Sequence, residues 1–246
     1  MKLALVTGGH RRLGSSISAR LAAEGWAVAI HGAHDSTPDS MLAEAFERNG
    51  THWAGFVADL GNSDAVEGLI PGVASHFGKL PDLLVNNASR FVDDTAATAT
   101  AATLAAHHAV NIAAPVALAL ALYRAGGQGA VVNILDQRIR NPVPDQFSYG
   151  LSKAALASAT RTLAVSLAPR IRVNAVAPGL TLPTPDYDAA LMARISAAMP
   201  LKRLPSPSDI ADAVMYLATA ASITGQTLFV DGGASLKSFD RDFVHL

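Results

Sequence analysis

Cysteine is absent from this chain of 246 residues, which excludes both a disulfide framework and thiolate chemistry. An excess of charge of either sign is also missing, because 19 Lys and Arg are balanced by 20 Asp and Glu, giving a formal net charge of -1. Without a basic run, the chain lacks the electrostatic footprint of a nucleic-acid-binding protein. No cluster of metal ligands stands out in the sequence. We therefore expect neither a nucleic-acid partner nor a metal.

Long hydrophobic runs are missing as well. No uninterrupted apolar stretch looks long enough to cross a bilayer, and the first fifteen residues read as a strand and a glycine turn, not as a targeting segment. The composition, 50% apolar and 16% charged, is typical of a core-rich globular chain. We expect one domain over residues 1–246, located in the cytoplasm and without a membrane partner.

Short apolar segments alternate with helical segments along the whole chain. The apolar segments are residues 2–6, 27–31, 52–57, 82–85, 129–135, 172–176 and 227–230. This order implies right-handed crossovers and places ligands at the carboxyl ends of the strands. We predict an α/β protein, a single-domain Rossmann-type doubly wound parallel sheet flanked by helices. Apolar residues at helical spacing also predict a long packed helix within the alanine-rich stretch 96–121.

The first strand leads into a glycine-rich turn, TGGHRRLG, from Thr7 to Gly14. Leu13, Ile17 and Leu21 then recur at helical spacing, so the turn joins a buried strand to an amphipathic helix. Glycine lets the main chain approach a ligand, and amides at a helix N-terminus favour a phosphate. The pattern is typical of a dinucleotide pyrophosphate site, although the spacing is not GxGxxG and a plain turn is the alternative.

Together with motifs further along, this turn resembles that of the short-chain dehydrogenase/reductase family. Asn86–Ser89 is similar to the NNAG segment of the family, and Tyr149 with Lys153 is similar to its YxxxK motif. Asn111 is similar to its helix asparagine. The resemblance implies an oxidoreductase with a nicotinamide cofactor. It places the cofactor beside Thr7, Gly8, Arg11, Arg12, Leu13, Gly14, Asp59, Leu60, Asn87, Ala88, Ser89, Tyr149, Lys153, Pro178 and Gly179.

The pair Tyr149 and Lys153 also has a chemical reading of its own. A tyrosine of pKa about 10 needs a nearby cation to favour its phenolate near neutral pH. Residues four apart share a helix face, so Lys153 is expected to supply that cation and to reach the nicotinamide ribose. Asn111 is expected to hold a water or a main-chain link to this lysine. An exposed helical pair without a function is the alternative.

Asp136 lies where the family usually has a serine, thirteen residues before Tyr149. An ionised carboxylate would repel the negative charge that develops on a carbonyl oxygen, so a ketone is a less natural substrate. In an imine the hydride adds to carbon and the neighbouring nitrogen receives a proton, which a carboxylic acid or a water bound to it can deliver. Asp136 therefore favours C=N reduction. A degenerate site, or a salt bridge with Arg138 or Arg140, is the alternative.

Further departures agree with this interpretation. Arg12 replaces the middle glycine of TGxxxGxG, Ser89 ends NNAS in place of NNAG, and Phe91 follows. With Asp136 they resemble the pteridine reductases, including the bacterial dihydromonapterin reductases. This resemblance implies a pterin between Phe91 and the nicotinamide, because a flat heteroaromatic ring gains from stacking; packing of Phe91 on a lid is the alternative. The implied substrate contacts are Arg12, Ser89, Phe91, Asp136, Tyr149 and Leu180.

Cofactor choice depends on the end of the second strand. NAD enzymes usually have an acidic residue there, whereas the 2′-phosphate of NADP needs cations. The expected acidic position falls near Gly32, while Arg11, His31, His34 and Ser36 could surround a phosphate. We therefore predict NADPH, with Asp35 as a ribose ligand the alternative.

A proline-rich and alanine-rich segment at about 180–204 is expected to be a substrate lid. The catalytic set is Asn111, Asp136, Tyr149 and Lys153. We predict reduction of a dihydropterin (dihydromonapterin, dihydrobiopterin or dihydrofolate) to the tetrahydro form, by a homotetramer. The alternatives are a carbonyl reductase acting on 3-oxoacyl chains or small ketones, and a catalytically silent NADPH-binding sensor.

Overall fold

A parallel sheet forms the centre of the computed structural model, which describes residues 1–182 and 187–245. Within these residues the sheet has seven strands in the order β3-β2-β1-β4-β5-β6-β7. The strands are β1 (Leu3–Thr7), β2 (Ala27–Gly32), β3 (Trp53–Val57), β4 (Leu83–Asn86), β5 (Gly129–Ile134), β6 (Ile171–Pro178) and β7 (Thr227–Val230). All neighbouring strands pair in parallel. The predicted doubly wound sheet is confirmed, with strand ends shifted by at most two residues.

Helices cover both faces of the sheet. They are α1 (Arg12–Ala23), α2 (Ser40–Arg48), α3 (Ser63–Phe77), α4 (Ala101–His108), α5 (Ala114–Arg124), α6 (Phe147–Ser166), α7 (Ala189–Ala198) and α8 (Pro207–Thr219). A π-helical turn, Ala109–Ala113, joins α4 to α5. The helix predicted within 96–121 therefore exists, but it begins five residues later than that stretch, at Ala101 after the Thr100 cap, and ends three residues later, at Arg124.

The continuous helix Ala101–Arg124 is the one helix of the described residues that is long and apolar enough to cross a membrane. It is not an uninterrupted apolar stretch, because His107, His108 and Asn111 lie within it. A single helix of this kind is weak evidence for a membrane, because a core helix passes the same test. In this fold its Leu118 and Leu122 are buried in the core beside the sheet.

The two sides of β1 show how strand periodicity builds the core. Leu3 and Leu5 belong to the buried cluster that also contains residues of α3 and α5, whereas Ala4 and Val6 belong to the cluster with residues of α1 and α8. Successive side chains on a strand point to opposite faces, so a strand covered on both faces must be apolar throughout. Because the strands are apolar throughout, polar site residues lie mainly outside them, in the loops at the carboxyl edge of the sheet.

Candidate active site

A large cleft opens along the carboxyl ends of the strands, with a volume of about 1000 Å³. It begins beside β1 and β4, where the strand order reverses, as expected for ligand sites in open α/β sheets. All but three of the residues proposed for the site line this cleft; the three are Thr7, Ser36 and Asn111. Among the described residues, no group of three or more His, Asp or Glu side chains is placed to hold a metal ion.

The glycine turn leaves the N-terminus of α1 uncapped. Arg11 occupies the cap position in an extended conformation, and no side chain accepts a hydrogen bond from the first amides of the helix. Gly14 is required for close packing, since a Cβ there would lie 1.9 Å from the carbonyl oxygen of Gly8. Free helix amides favour an anion. The turn, with Arg11 and Arg12 lining the cleft beside it, therefore fits a pyrophosphate.

Thr7 and Asn87 brace this turn. The Thr7 hydroxyl accepts hydrogen bonds from the amides of Asn87 and Ala88, both at 3.0 Å. The Asn87 side-chain amide donates to the carbonyls of Thr7 and Gly8, at 2.9 and 3.1 Å. Thr7 thus supports the cleft wall from behind, which differs from the expected cofactor contact.

The end of β2 differs from expectation at two residues. His31 is buried, accepts a hydrogen bond from the Gly8 amide at Nδ1 and contacts the Ala58 carbonyl through Nε2 at 2.8 Å. Burial lowers the pKa of His31, so its ring is a neutral support for the turn and not a cation for phosphate. Ser36 packs against Gly55, where a Cβ would lie 2.5 Å from the serine Oγ, and it does not line the cleft.

Asp35 forms hydrogen bonds within its own loop and does not face the cleft. Its Oδ1 accepts hydrogen bonds from the hydroxyl and amide of Thr37, at 2.7 and 2.9 Å, and these bonds lower the pKa of Asp35. It does not line the cleft, whereas Arg11 and His34 do. This end of the cleft therefore presents the guanidinium of Arg11 and the ring of His34, and no carboxylate from the β2 loop. His10, which is not among the predicted site residues, also lines this end of the cleft.

Asp136 follows β5 and faces the first turn of α6. Its Oδ2 accepts a hydrogen bond from the Tyr149 hydroxyl at 3.1 Å, and its Oδ1 accepts one from the Arg138 amide at 2.8 Å. Neither suggested salt bridge forms: the Arg138 guanidinium pairs with Asp242, and the Arg140 guanidinium lies 4.2 Å from the centre of the Phe229 ring. Asp136 is therefore held by a phenol and an amide without a cation bound to it.

The environment of Tyr149 differs from the expected one. Burial, and then the carboxylate of Asp136, raise the pKa of Tyr149 well above its ordinary value, and Arg138 opposes this only in part. The expectation that a neighbouring cation favours the phenolate is therefore wrong for this structure. Lys153 donates a hydrogen bond to the Ile134 carbonyl at 2.9 Å, and burial lowers its pKa to about 8. Its Nζ lies 5.6 Å from the Tyr149 ring centre.

Asn111 lies in the π-helical turn, buried. Its side-chain oxygen accepts hydrogen bonds from the Arg90 amide and the Ser89 hydroxyl, and its side-chain nitrogen donates to the Arg90 carbonyl and to Ser152 Oγ. The side-chain amide is thereby saturated and does not contact Lys153, so a link to that lysine through a water or the main chain stays a prediction. Asn111 instead fixes the loop after β4 against α6.

That loop brings Phe91 into the cleft. The Phe91 ring meets Tyr149 edge to face, with the ring centres 4.8 Å apart, and Phe91 is 52% exposed. An exposed aromatic face beside a buried phenol can bind a flat ring. Three residues further along, Asp94 accepts hydrogen bonds from the amide and hydroxyl of Ser148, so it caps the helix that carries Tyr149. Asp94 was not foreseen, because its partner is 54 residues away.

The substrate end of the cleft is closed by residues 240–245, here called the C-terminal strap. Asp242, with three further strap residues, lines the cleft. Arg241 pairs with Asp145, and its hydrogen bonds lower the pKa of Asp145 to about 2. Phe243 packs into an apolar cluster with residues of the segment expected to form a lid. Pro183 and Pro185 of that segment lie outside the described residues.

The fold and cleft define a nucleotide-binding α/β protein with an acidic, tyrosine-containing site. A family model described as enoyl-(acyl carrier protein) reductase matches residues 9–235. Among solved structures, FolM alternative dihydrofolate reductase 1 from Brucella suis, in complex with NADP, is 40% identical with a TM-score of 0.84, and the match covers 96% of each chain.

Two curated relatives extend the comparison. An uncharacterized oxidoreductase of Mycobacterium tuberculosis is 37% identical over 97% of this chain and 94% of its own length. The 3-oxoacyl-[acyl-carrier-protein] reductase of Staphylococcus aureus is 32% identical over 94% of this chain and 97% of its own length. The chain belongs to the short-chain dehydrogenase/reductase family of oxidoreductases.

Proposed function

We propose that this protein is an NADPH-dependent reductase that converts a dihydropterin to its tetrahydro form. The observation that supports it most strongly is the hydrogen bond from the Tyr149 hydroxyl to Asp136, in a cleft that also presents an exposed aromatic ring. The similarity to a dihydrofolate reductase of the FolM type, 40% identical over nearly the whole chain, agrees with this substrate class.

NADPH is the cofactor that the cleft fits. The uncapped amides of α1 and the Arg12 side chain would hold the pyrophosphate, and Arg11 with His34 would hold the 2′-phosphate. Tyr149 and Lys153 would contact the nicotinamide ribose. When bound, the cofactor supplies the hydride. The Brucella suis relative was crystallised with NADP, which supports the phosphorylated form.

The pair formed by Asp136 and Tyr149 suits protonation of nitrogen. The carboxylate accepts a hydrogen bond from the phenol, and the buried phenol stays neutral because a phenolate 3.1 Å from a carboxylate would add a second negative charge. The two oxygens thus retain one proton between them. In carbonyl reduction the substrate oxygen gains negative charge, which the Asp136 carboxylate would repel. In imine reduction the substrate nitrogen must gain a proton, and the hydrogen-bonded pair of Tyr149 and Asp136 holds one beside it.

The remaining side chains position the substrate and replenish the proton. Phe91 offers one face of its ring to a flat heterocycle, and its edge contact with Tyr149 keeps that ring beside the phenol. Lys153, with its pKa lowered to about 8, is charged near neutral pH and is able to release a proton readily. After hydride addition at C6 of the pterin, N5 would be protonated from the Asp136 side: the Tyr149 phenol, held on Asp136, would give up its proton, and Lys153 would return one to it.

Carbonyl reduction is the second candidate. It is favoured by the 3-oxoacyl reductase of Staphylococcus aureus, 32% identical over almost its full length. Such an enzyme would act on a thioester-linked ketone in the same cleft, and Asp136 would then be a tolerated substitution.

The test is a substrate panel with the purified wild-type protein. Loss of NADPH absorbance is measured with dihydromonapterin, dihydrobiopterin and dihydrofolate, and in parallel with acetoacetyl thioester and small ketones. The proposal expects pterin kcat/KM to exceed that of every carbonyl compound by at least about tenfold, a difference of about 1.4 kcal/mol in transition-state binding. Turnover of carbonyl compounds alone would contradict it.

We also propose that the enzyme is a homotetramer. Large apolar side chains are exposed on α4 and α6, among them Leu104, Leu151 and Val165, the last 82% exposed. Exposed apolar surface of this kind is typical of subunit contacts. Light scattering should give four times the mass of the 25.4 kDa chain, and a monomer would contradict this.

A further inference from the structure

We propose that Asp242 of the C-terminal strap is a positioning residue: it holds the Arg138 guanidinium away from Asp136 and so keeps that carboxylate available to Tyr149. The inference rests on the proposed function only in the role that it gives Asp136. It concerns a contact between two segments 104 residues apart, and neither Arg138 nor Asp242 belongs to the motifs that define the cofactor site.

Arg138 has two carboxylates within its surroundings and pairs with only one. Its backbone amide donates to Asp136 Oδ1 at 2.8 Å, which places the residue directly beside the candidate acid. Its guanidinium nevertheless donates to Asp242 Oδ2 and to the side-chain oxygen of Gln146. Burial opposes the charge of Arg138, but both Asp136 and Asp242 favour it, and the net effect is a raised pKa. The guanidinium is therefore a permanent cation for which the two carboxylates compete.

Asp242 is held in place for this competition. Its side chain is almost completely buried, and its Oδ1 accepts hydrogen bonds from the Tyr187 hydroxyl at 3.1 Å and from the Val244 amide at 3.0 Å. Its backbone amide donates to Asp145 Oδ2 at 2.8 Å, and Asp145 is in turn paired with Arg241. A carboxylate fixed by this many partners loses little entropy when it binds a guanidinium.

The consequence reaches the reacting groups. Asp136 Oδ2 has the Tyr149 hydroxyl as its hydrogen-bond donor. A guanidinium paired with Asp136 would compete with the Tyr149 hydroxyl for that oxygen, because a charged donor binds a carboxylate more strongly than a neutral one does. The Tyr149 hydroxyl would then lose the acceptor that orients it. Asp242 prevents this by binding the guanidinium itself.

The experiment compares Asp242→Asn, Asp242→Glu, Arg138→Leu and the double variant Asp242→Asn/Arg138→Leu. Asp240→Asn, an exposed carboxylate of the same strap, is the matched control. The kcat, KM and pH profile are measured on whichever substrate of the panel the wild type reduces. If that substrate is not a pterin, the proposed function fails, but the variants can still be compared with the wild type. Thermal melting and NADPH binding by fluorescence are measured for each variant.

We expect Asp242→Asn to lower kcat at least tenfold and to shift the pH profile, with NADPH affinity unchanged, and Asp242→Glu to retain most activity. Asp242→Asn leaves the buried Arg138 guanidinium unpaired and can therefore destabilise the protein. The double variant removes both buried charges, so it does not have this destabilisation. It should recover kcat to within a few-fold of Arg138→Leu. A crystal structure of Asp242→Asn should show the Arg138 guanidinium on Asp136.

Two results would overturn the inference. One is wild-type kcat and pH profile in Asp242→Asn. The other is a double variant that is no more active than Asp242→Asn although it melts normally and binds NADPH, because removal of the competing guanidinium would then restore nothing.

Discussion

The Tyr149 hydroxyl donates a hydrogen bond to Asp136 Oδ2 across 3.1 Å, inside a cleft in which the tyrosine is buried. The tyrosine comes from the first turn of α6, and the aspartate lies two residues after β5, where the Arg138 amide holds its other carboxylate oxygen. Lys153 is a helical turn further along α6, with its ammonium on the Ile134 carbonyl. The carboxylate, and not the lysine, is thus the immediate partner of the phenol.

Lys153 is expected to lower the free energy of unfolding of the protein at neutral pH. Its pKa is lowered by burial from 10.5 to about 8, so between these pH values the unfolded chain binds a proton that the folded chain has lost. Stability therefore rises as the pH increases from about 8 to 10.5, and the full cost is present below pH 8. We expect Lys153→Met to abolish activity and to raise the free energy of unfolding at pH 7 by about 1–3 kcal/mol, since the shift corresponds to about 3 kcal/mol.

Urea denaturation at pH 7 and at pH 10 checks this expectation. The advantage of Lys153→Met over the wild type should shrink at the higher pH, where the wild-type lysine is neutral. A variant less stable than the wild type at pH 7 would show that the lysine contributes more through its hydrogen bond than it costs through burial.

Arg12 has a φ of +55°, in the left-handed region that favours glycine. The usual glycine backbone is thus retained although the residue has changed, at a cost of roughly 1–2 kcal/mol. Arg12→Gly should stabilise the cofactor-free protein by about 1 kcal/mol and raise the KM for NADPH severalfold, because a cation beside the phosphates is lost. Arg12→Ala is the control: it should show the same KM effect without the gain in melting temperature. Equal stability of the two variants would argue against backbone strain.

His34 and Arg11 are expected to select NADPH over NADH. No carboxylate of the β2 loop lines the cleft, and Asp35 is engaged by Thr37. His34→Glu places a negative charge near the expected 2′-phosphate and should lower the ratio of kcat/KM for NADPH to that for NADH at least tenfold. His34→Gln, which removes the ring without adding charge, should lower it less. An unchanged ratio in His34→Glu would place the 2′-phosphate elsewhere.

Asp94 is expected to hold the helix that carries Tyr149. Burial raises the pKa of Asp94, but the hydrogen bonds from Ser148 outweigh burial and lower it overall, so the carboxylate is ionised in the folded protein. Asp94→Ala should destabilise the protein by about 1–2 kcal/mol, as the loss of a helix cap does, and should reduce kcat. The neighbouring Asp93→Ala, which alters an exposed side chain, should melt as the wild type does. Chemical denaturation of both variants measures the difference.

Local patterns were sufficient to predict the sheet and the glycine turn, and the resemblance to the short-chain dehydrogenase/reductase family predicted the placement of Asp136 near Tyr149. Strand periodicity, glycine spacing and the helical interval between Tyr149 and Lys153 are properties of short segments, and parallel strands bring their carboxyl ends together. The neutral role of His31 was not predictable in this way, because it depends on burial under Ala58 and the Gly8 amide.

Long-range partners account for the other differences. The cap from Asp94, the pair between Arg138 and Asp242, and the saturation of Asn111 by Arg90 and Ser152 all join residues 21 to 104 positions apart. Such pairs leave no periodic signal, since each partner is an ordinary polar residue in its own segment. Only the folded arrangement distinguishes them from surface side chains.

Replacement of Asp136 is the most direct test of C=N reduction. The kcat/KM values for a dihydropterin and for an acetoacetyl thioester are measured with the wild type, Asp136→Ser and Asp136→Asn, under saturating NADPH. Loss of the carboxylate that positions the Tyr149 proton should lower pterin reduction at least about 100-fold in both variants, while Asp136→Ser keeps or gains carbonyl reduction. Pterin reduction that survives the serine unchanged would contradict the proposed role of Asp136.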